Sequence, residues 1–172
     1  GALLLILQGW TVSSTESVPI TEYQLKAIYL YNFSKYITWP EGAFADSKAP
    51  LQICLLGDDP FEGKIDSAVK NQKVKGREVT VRRINKVQMI TGCQTLFVSD
   101  SEQPHLTAIL AYTHNKPILT VSAMKNFVTQ GGMIQFYSLE GQVRFSIDPQ
   151  TLTEAGLEAS SRLLQLANII RH

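Results

Sequence analysis

An α/β domain is what this sequence predicts: a single three-layer unit, with a mostly parallel sheet flanked by helices and a C-terminal antiparallel hairpin. Three observations carry that expectation. Apolar runs of strand length at residues 51–56, 96–98 and 117–122 are too continuous for a sheet wet on one side, and fit strands covered on both faces. Stretches with helical apolar spacing alternate with them, as strand–helix–strand crossovers require. Near the end, residues 133–139 and 142–147 flank Glu140-Gly141, a tight hairpin signal.

The first element lies in residues 21–40, TEYQLKAIYLYNFSKYITWP. Thr21 and Gln24 form a capping-box pattern, and Pro40 ends any helix near residue 38 by pushing Trp39 out of the α region. Leu25, Ile28, Tyr29, Phe33 and Tyr36 mark one apolar face and Ala27, Leu30 and Tyr31 much of the other, so Lys26 and Lys35 are read as a narrow wet stripe. Residues 41–49 are a loop in which Phe44 anchors to the core. The first strand, at residues 51–56, ends at Gly57. Asp59-Pro60 then starts a helix over residues 60–69.

Residues 78–84 alternate as an edge strand, and residues 86–92 form a short turn. A strand at 94–99 leads to a helix at 101–114 carrying Leu106, Ile109 and Leu110 on one face, with Pro104 tolerated near its first turn. After the strand at 117–122 come a short helix near 124–128 and Gly131-Gly132, read as a pair that supplies positive φ. Asp148-Pro149 caps the segment after the hairpin, Gly156 interrupts it, and residues 157–170 are read as one terminal helix with Leu163, Leu166, Ala167 and Ile170 facing inward.

With 172 residues, 44% of them hydrophobic and 18% charged, the chain is long and apolar enough for one sizeable core. Its sixteen basic residues against fifteen acids leave a net charge of +1, too little for a general footprint on nucleic acid. The apolar run at residues 2–7, followed by Val12 and Ser14, is read as the tail of a secretory signal peptide covering 1–14. Residues 15–20 form a flexible lead-in, and 21–172 the domain. The alternative for 1–14 is an apolar first helix.

No motif requires catalysis, a cofactor or a metal. Asp58, Asp59, Asp100, Ser122 and Ala123 fall at strand ends that share a crevice, an arrangement a receiver-like phosphoacceptor would use. Gly57 separates the acid pair from its strand, however, and Asp59 is better assigned to capping. Ser122, His105 and Asp100 make only a nominal triad, without a nucleophile elbow. Residues 70–86 hold seven basic side chains and one acid, Glu78, which is read as an edge-strand charge set more than a docking site. Candidate partner contacts are the aromatics Tyr23, Tyr31 and Trp39 together with Arg144, whose alternation with Val143 and Phe145 turns it to the other sheet face. Cys54 and Cys93 are either bridged or two buried thiols.

The run KAIYLYNFSKYITWP (26–40) resembles the opening signature of the YfiR family. The resemblance continues through ICLLGDDPF (53–61), GREVTVR (76–82), Cys93, LTVS (119–122), GGMI (131–134), VRFSI (143–147) and SSRLLQLA (160–167), over roughly residues 20 to 170. It implies a periplasmic, non-enzymatic regulator that represses an inner-membrane diguanylate cyclase through its periplasmic sensory domain, lowering cyclic-di-GMP and biofilm formation. It further implies relief by an outer-membrane lipoprotein, a homodimer, and a Cys54–Cys93 disulfide. The alternative is a periplasmic small-molecule binding protein using the strand-end crevice.

Overall fold

Thr21 caps the first helix as its sequence dictates. In the computed structural model, which describes residues 20–172, the Gln24 N–H donates to the Thr21 hydroxyl at 3.2 Å and the Thr21 N–H donates to Gln24 Oε1 at 3.0 Å. The expected signal remnant at 1–14, and all of the lead-in but Ile20, lie outside the described residues. The helix, α1, runs Glu22–Tyr36. It stops two residues before the limit set by Pro40, because β1 (Ile37–Thr38) is drawn into an antiparallel pair with a strand near the C-terminus.

The buried face of α1 also differs from the expected one. Lys26, Ala27, Leu30, Phe33 and Ser34 face inward, while Ile28 is 40% exposed. Lys26 is buried because its stem lies along the helix and its ammonium reaches Glu22 at 2.9 Å, beside the rings of Tyr23 and Phe136.

After α1 the chain forms β2 (Leu51–Leu56), α2 (Lys64–Val69), β3 (Lys73–Val74), β4 (Arg77–Ile84), β5 (Thr95–Val98), α3 (Leu106–Thr113) and β6 (Leu119–Ser122). It continues through β7 (Ile134–Leu139), β8 (Gln142–Ile147), α4 (Pro149–Glu154), β9 (Glu158–Ala159), α5 (Ser161–Leu166) and β10 (Asn168–Ile169). Eight strands make one sheet in the order β10-β8-β7-β6-β5-β2-β4-β3. β4, β2, β5, β6 and β7 are parallel neighbours, β8 turns back on β7 with Tyr137 opposite Arg144, and β10 returns parallel to β8. β1 and β9 pair separately, Ile37 opposite Ala159.

Two helical expectations need correction. Asp59 does cap, accepting the Phe61 N–H at 2.7 Å, but Glu62 and Gly63 sit at φ 51° and 81°, so α2 begins only at Lys64. The terminal helix is also not continuous. Ser160 caps a six-residue α5, Ala167 turns extended, and the chain leaves to extend the sheet as β10, so Leu166 is exposed. The 101–114 segment is helical through Thr113, with a 3-10 stretch over Asp100–His105 where Pro104 has no N–H to give.

The sheet carries a core on each face. One, under α1 and α2, includes Phe33, Ile53, Phe61, Phe97, Phe136 and Phe145; the other, under α3, includes Cys54, Leu56, Cys93, Leu96, Ile109 and Phe127. Cys54 and Cys93 are bridged in this second core, their Cα atoms 5.9 Å apart. In the Gly131-Gly132 pair only Gly131 uses positive φ, at 114°. A Cβ on Gly132 would lie 2.2 Å from the Phe127 ring, so this glycine is required for space.

Reduction of Cys54–Cys93 is expected to lower unfolding free energy by about 2–4 kcal/mol, read as a lower urea midpoint with dithiothreitol than without. Gly132→Ala should cost about 1–3 kcal/mol in the same assay, because the fully buried Phe127 ring would have to shift to admit the methyl group.

Candidate functional site

The loops at the carboxyl ends of β2, β5 and β6 converge on one cavity of about 190 Å³. Gly57 lets the chain leave β2 at φ 94°, where a Cβ would meet the Ser101 hydroxyl at 2.5 Å. The Asp58 N–H then donates to Ser101 Oγ at 3.0 Å, tying the loop after β2 to the loop after β5. Asp58, Pro60 and Phe61 form one wall and Ser99, Asp100 and Ser101 the other. Ala123 and Phe97 lie between them, and α1 contributes Tyr23 and Lys26. Phe61 and Phe97 meet edge to face with centroids 4.9 Å apart and are buried behind the cavity wall.

The acids named from the sequence are separated by this arrangement. Asp58 and Asp100 line the cavity, whereas Asp59 turns away to receive Arg83 Nε at 3.0 Å and Nη2 at 2.9 Å. Arg83 also donates to both oxygens of Asp66, at 3.3 and 2.6 Å. Those bonds hold the Asp66 carboxyl below the usual carboxylate range and push the Arg83 guanidinium above its ordinary value. Ser122 is fully buried and satisfied, donating to the Val98 carbonyl at 2.7 Å and accepting the Met124 N–H at 3.1 Å. His105 pairs with Glu102, so the nominal triad is not assembled. Among the described residues no group of three or more acidic, His or Cys side chains is placed to hold a metal.

The candidate contact residues fall into two classes. Tyr23 is 43% exposed at the cavity rim, and Arg144 is exposed on the hairpin, its guanidinium 3.3 Å from Gln142 Oε1. Tyr31 is half-buried and donates to Gln72 Oε1 at 3.4 Å. Trp39 is withdrawn from the surface: it is 9% exposed, and its indole N–H donates to the Gln94 carbonyl at 3.1 Å. Its place in the core follows from Pro40, which extends the chain and lays the ring across the start of β5. The basic stretch is largely consumed by the fold. Arg77 stacks on Phe44 and donates to the Asp46 and Ala49 carbonyls, Arg82 donates to the Met89 and Thr91 carbonyls, and Lys75 donates to the Ile37 carbonyl and the Thr38 hydroxyl.

Three residues that matter most had no distinct signal in the sequence. Gln94, 2% exposed, accepts the Gln52 N–H through Oε1 at 2.7 Å and donates through Nε2 to the Ala43 carbonyl at 2.7 Å. Lys26 and Ser99 line the cavity from positions that read as a wet stripe and a strand end. Beside the cavity, Ile20, Gln24 and Ile28 of the α1 side face Lys64, Ser67 and Ala68 of α2 across a shallow groove.

Comparison with known proteins adds the following. The family model described as YfiR/HmsC-like matches residues 23–168. None of the curated proteins compared with the chain matches it. Among solved structures the chain is similar to a conserved domain protein of Vibrio cholerae O1 biovar eltor, at 8% identity and a TM-score of 0.59. The match covers 88% of this chain and 60% of that one, and at this identity the likeness is one of fold.

Gln94→Ala is expected to lower stability by about 2–3 kcal/mol, because it strands the Gln52 N–H and the Ala43 carbonyl away from water. The Asp66–Arg83 pair has a lowered carboxyl pKa in the fold, so its contribution is present above the ordinary carboxylate value and is lost as pH falls through the folded value. Arg83→Met should therefore cost at most about 1 kcal/mol at pH 7, since the pair is exposed, and the difference from the parent should vanish toward pH 2 in urea titrations.

Proposed function

The chain belongs to the YfiR/HmsC-like family, and on that basis we propose that it is a periplasmic regulatory protein that represses an inner-membrane diguanylate cyclase by docking on its periplasmic sensory domain. The observation that carries this reading is the family match across residues 23–168. By the same reading it lowers cyclic-di-GMP synthesis and restrains biofilm formation, an outer-membrane lipoprotein relieves it, and it works as a homodimer. No residue of the protein needs to make or break a bond. The partner's catalytic output changes when docking favours one of its conformations, which requires different affinities for its active and inactive states.

The exposed apolar side chains supply a surface for such docking. Tyr23 and Ile28 project from α1, and Leu139, 48% exposed, lies at the hairpin tip near Arg144. An aromatic or aliphatic anchor with a nearby Arg is the composition that carries most binding energy at protein interfaces. None of these side chains is needed to fill the core, so their substitution separates binding from folding.

The purified protein mixed with the periplasmic domain of a membrane diguanylate cyclase should bind with a dissociation constant of about 10 μM or tighter in calorimetry. Tyr23→Ala, Ile28→Asp or Arg144→Glu should weaken it about tenfold or more while leaving the urea midpoint unchanged. Absence of association at about 100 μM would overturn the reading.

A further inference from the structure

The cavity at the strand ends sits where the sheet changes its direction of growth. From β2 the chain moves outward to β4, then returns to the other side of β2 with β5 and continues through β6 and β7. In open parallel sheets this switch point leaves a crevice beyond the carboxyl ends of the strands, flanked by two loops that run apart, and small ligands bind there. The loops after β2 and β5 are those two walls. Position alone does not make a site, but the side chains in this crevice do more than occupy it.

Ser99 is only 6% exposed and lines the cavity, and its hydroxyl has no hydrogen-bond partner among the described residues. Ser34, Thr95, Thr120 and Ser122, buried to a similar degree, all have one. The Ser99 oxygen itself is reached by solvent from the cavity, so a bound molecule can replace water as its partner. The charges around it are one-sided. The Lys26 ammonium is neutralised by Glu22 at 2.9 Å, whereas the Asp58 and Asp100 carboxylates make no ion pair or side-chain hydrogen bond among the described residues. An anion would face two carboxylates at the mouth. A divalent metal would find only two, with no third acidic, His or Cys ligand in reach. Tyr23, Pro60 and Ala123 give the lining apolar surface that suits hydrocarbon, with the Phe61 and Phe97 rings buried behind it. The volume, about 190 Å³, is that of about six waters, so the occupant is small.

We propose that this cavity binds a small organic cation, an aliphatic primary amine of a few carbons. Its ammonium lies between Asp58 and Asp100 and donates a hydrogen bond to the Ser99 hydroxyl, and its carbon chain lies against Tyr23, Pro60 and Ala123. The site is independent of the docking reading: it predicts ligand binding by the isolated protein whether or not a membrane partner associates.

The test is isothermal titration calorimetry of the full chain with putrescine and ethanolamine at low ionic strength, with magnesium chloride and sodium acetate as controls. At least one amine should bind with a dissociation constant of about 1 mM or tighter, and neither control should bind or compete. Asp58→Asn, a change on an exposed side chain, should weaken binding about tenfold, and Asp58→Asn/Asp100→Asn should abolish it, with unchanged circular dichroism in both. Ser99→Ala should weaken it about threefold to tenfold, the loss of one hydrogen bond from a charged donor. Absence of heat from both amines at about 10 mM, magnesium binding that is lost in the same variants, or amine affinity unchanged by Asp58→Asn would each overturn the proposal.

Discussion

The placement of α1 on the sheet is the constraint from which the rest follows. Its Phe33 ring nests against Phe136 and Phe145, with centroids 5.6 and 4.8 Å away, and one turn of the same face carries Ser34, whose hydroxyl shares a 2.8 Å hydrogen bond with Thr95. The aromatic contacts supply the apolar burial, roughly 1.5–3 kcal/mol for a side chain of this size. The hydroxyl pair supplies register, because both groups are fully buried and neither can be left unpaired. With those contacts set, the helix cannot rotate. Lys26 and Tyr23 are then held over the strand-end cavity, and Ile28 is held outward.

The connection leaving α1 is held by polar groups as strictly as the helix is held by rings. Gln94 receives the Trp39 indole on its carbonyl and the Gln52 N–H on its side chain, and gives its own side-chain N–H to Ala43. Leu119 also donates to the Gln94 carbonyl, at 2.8 Å. One buried amide thus ties the 37–44 segment, β2, β5 and β6 together at the amino ends of the strands. The disulfide works on the other face of the same strands, closing the 54–93 segment at β2 and the start of β5.

These constraints suit a protein that acts by being recognised. The ionisable groups are arranged for support: Arg83 spans Asp59 and Asp66, Arg77 and Arg82 saturate backbone carbonyls, and Asp148 caps α4 while meeting His172 at 2.7 Å. Beside that support lie an outward apolar face on α1 and the hairpin, and a small cavity lined by two carboxylates and a hydroxyl. The first is the composition of a macromolecular contact and the second that of a ligand site.

The six longer strands, the Thr21 capping box and the hairpin were legible in the chain because each is a local statement. Leu51–Leu56 is apolar throughout, Thr21 and Gln24 satisfy each other's N–H groups, and Glu140-Gly141 supplies two residues at positive φ. The parallel order of alternating strands and helices followed from the same local signals. Which face of α1 is buried was not legible, since aromatic and aliphatic residues occupy most of its circumference and periodicity has nothing to discriminate. Nor was the breakup of the last helix: its residues are adequate helix formers, and only the open edge of β8 and the partner strand β1 drew segments of it into strands. Trp39, Gln94, Lys26 and Ser99 acquired their roles from neighbours more than 50 residues away or from cavities bounded by several loops. Hydrogen-bond satisfaction and packing are properties of the assembled chain, and residue type alone carries no record of them.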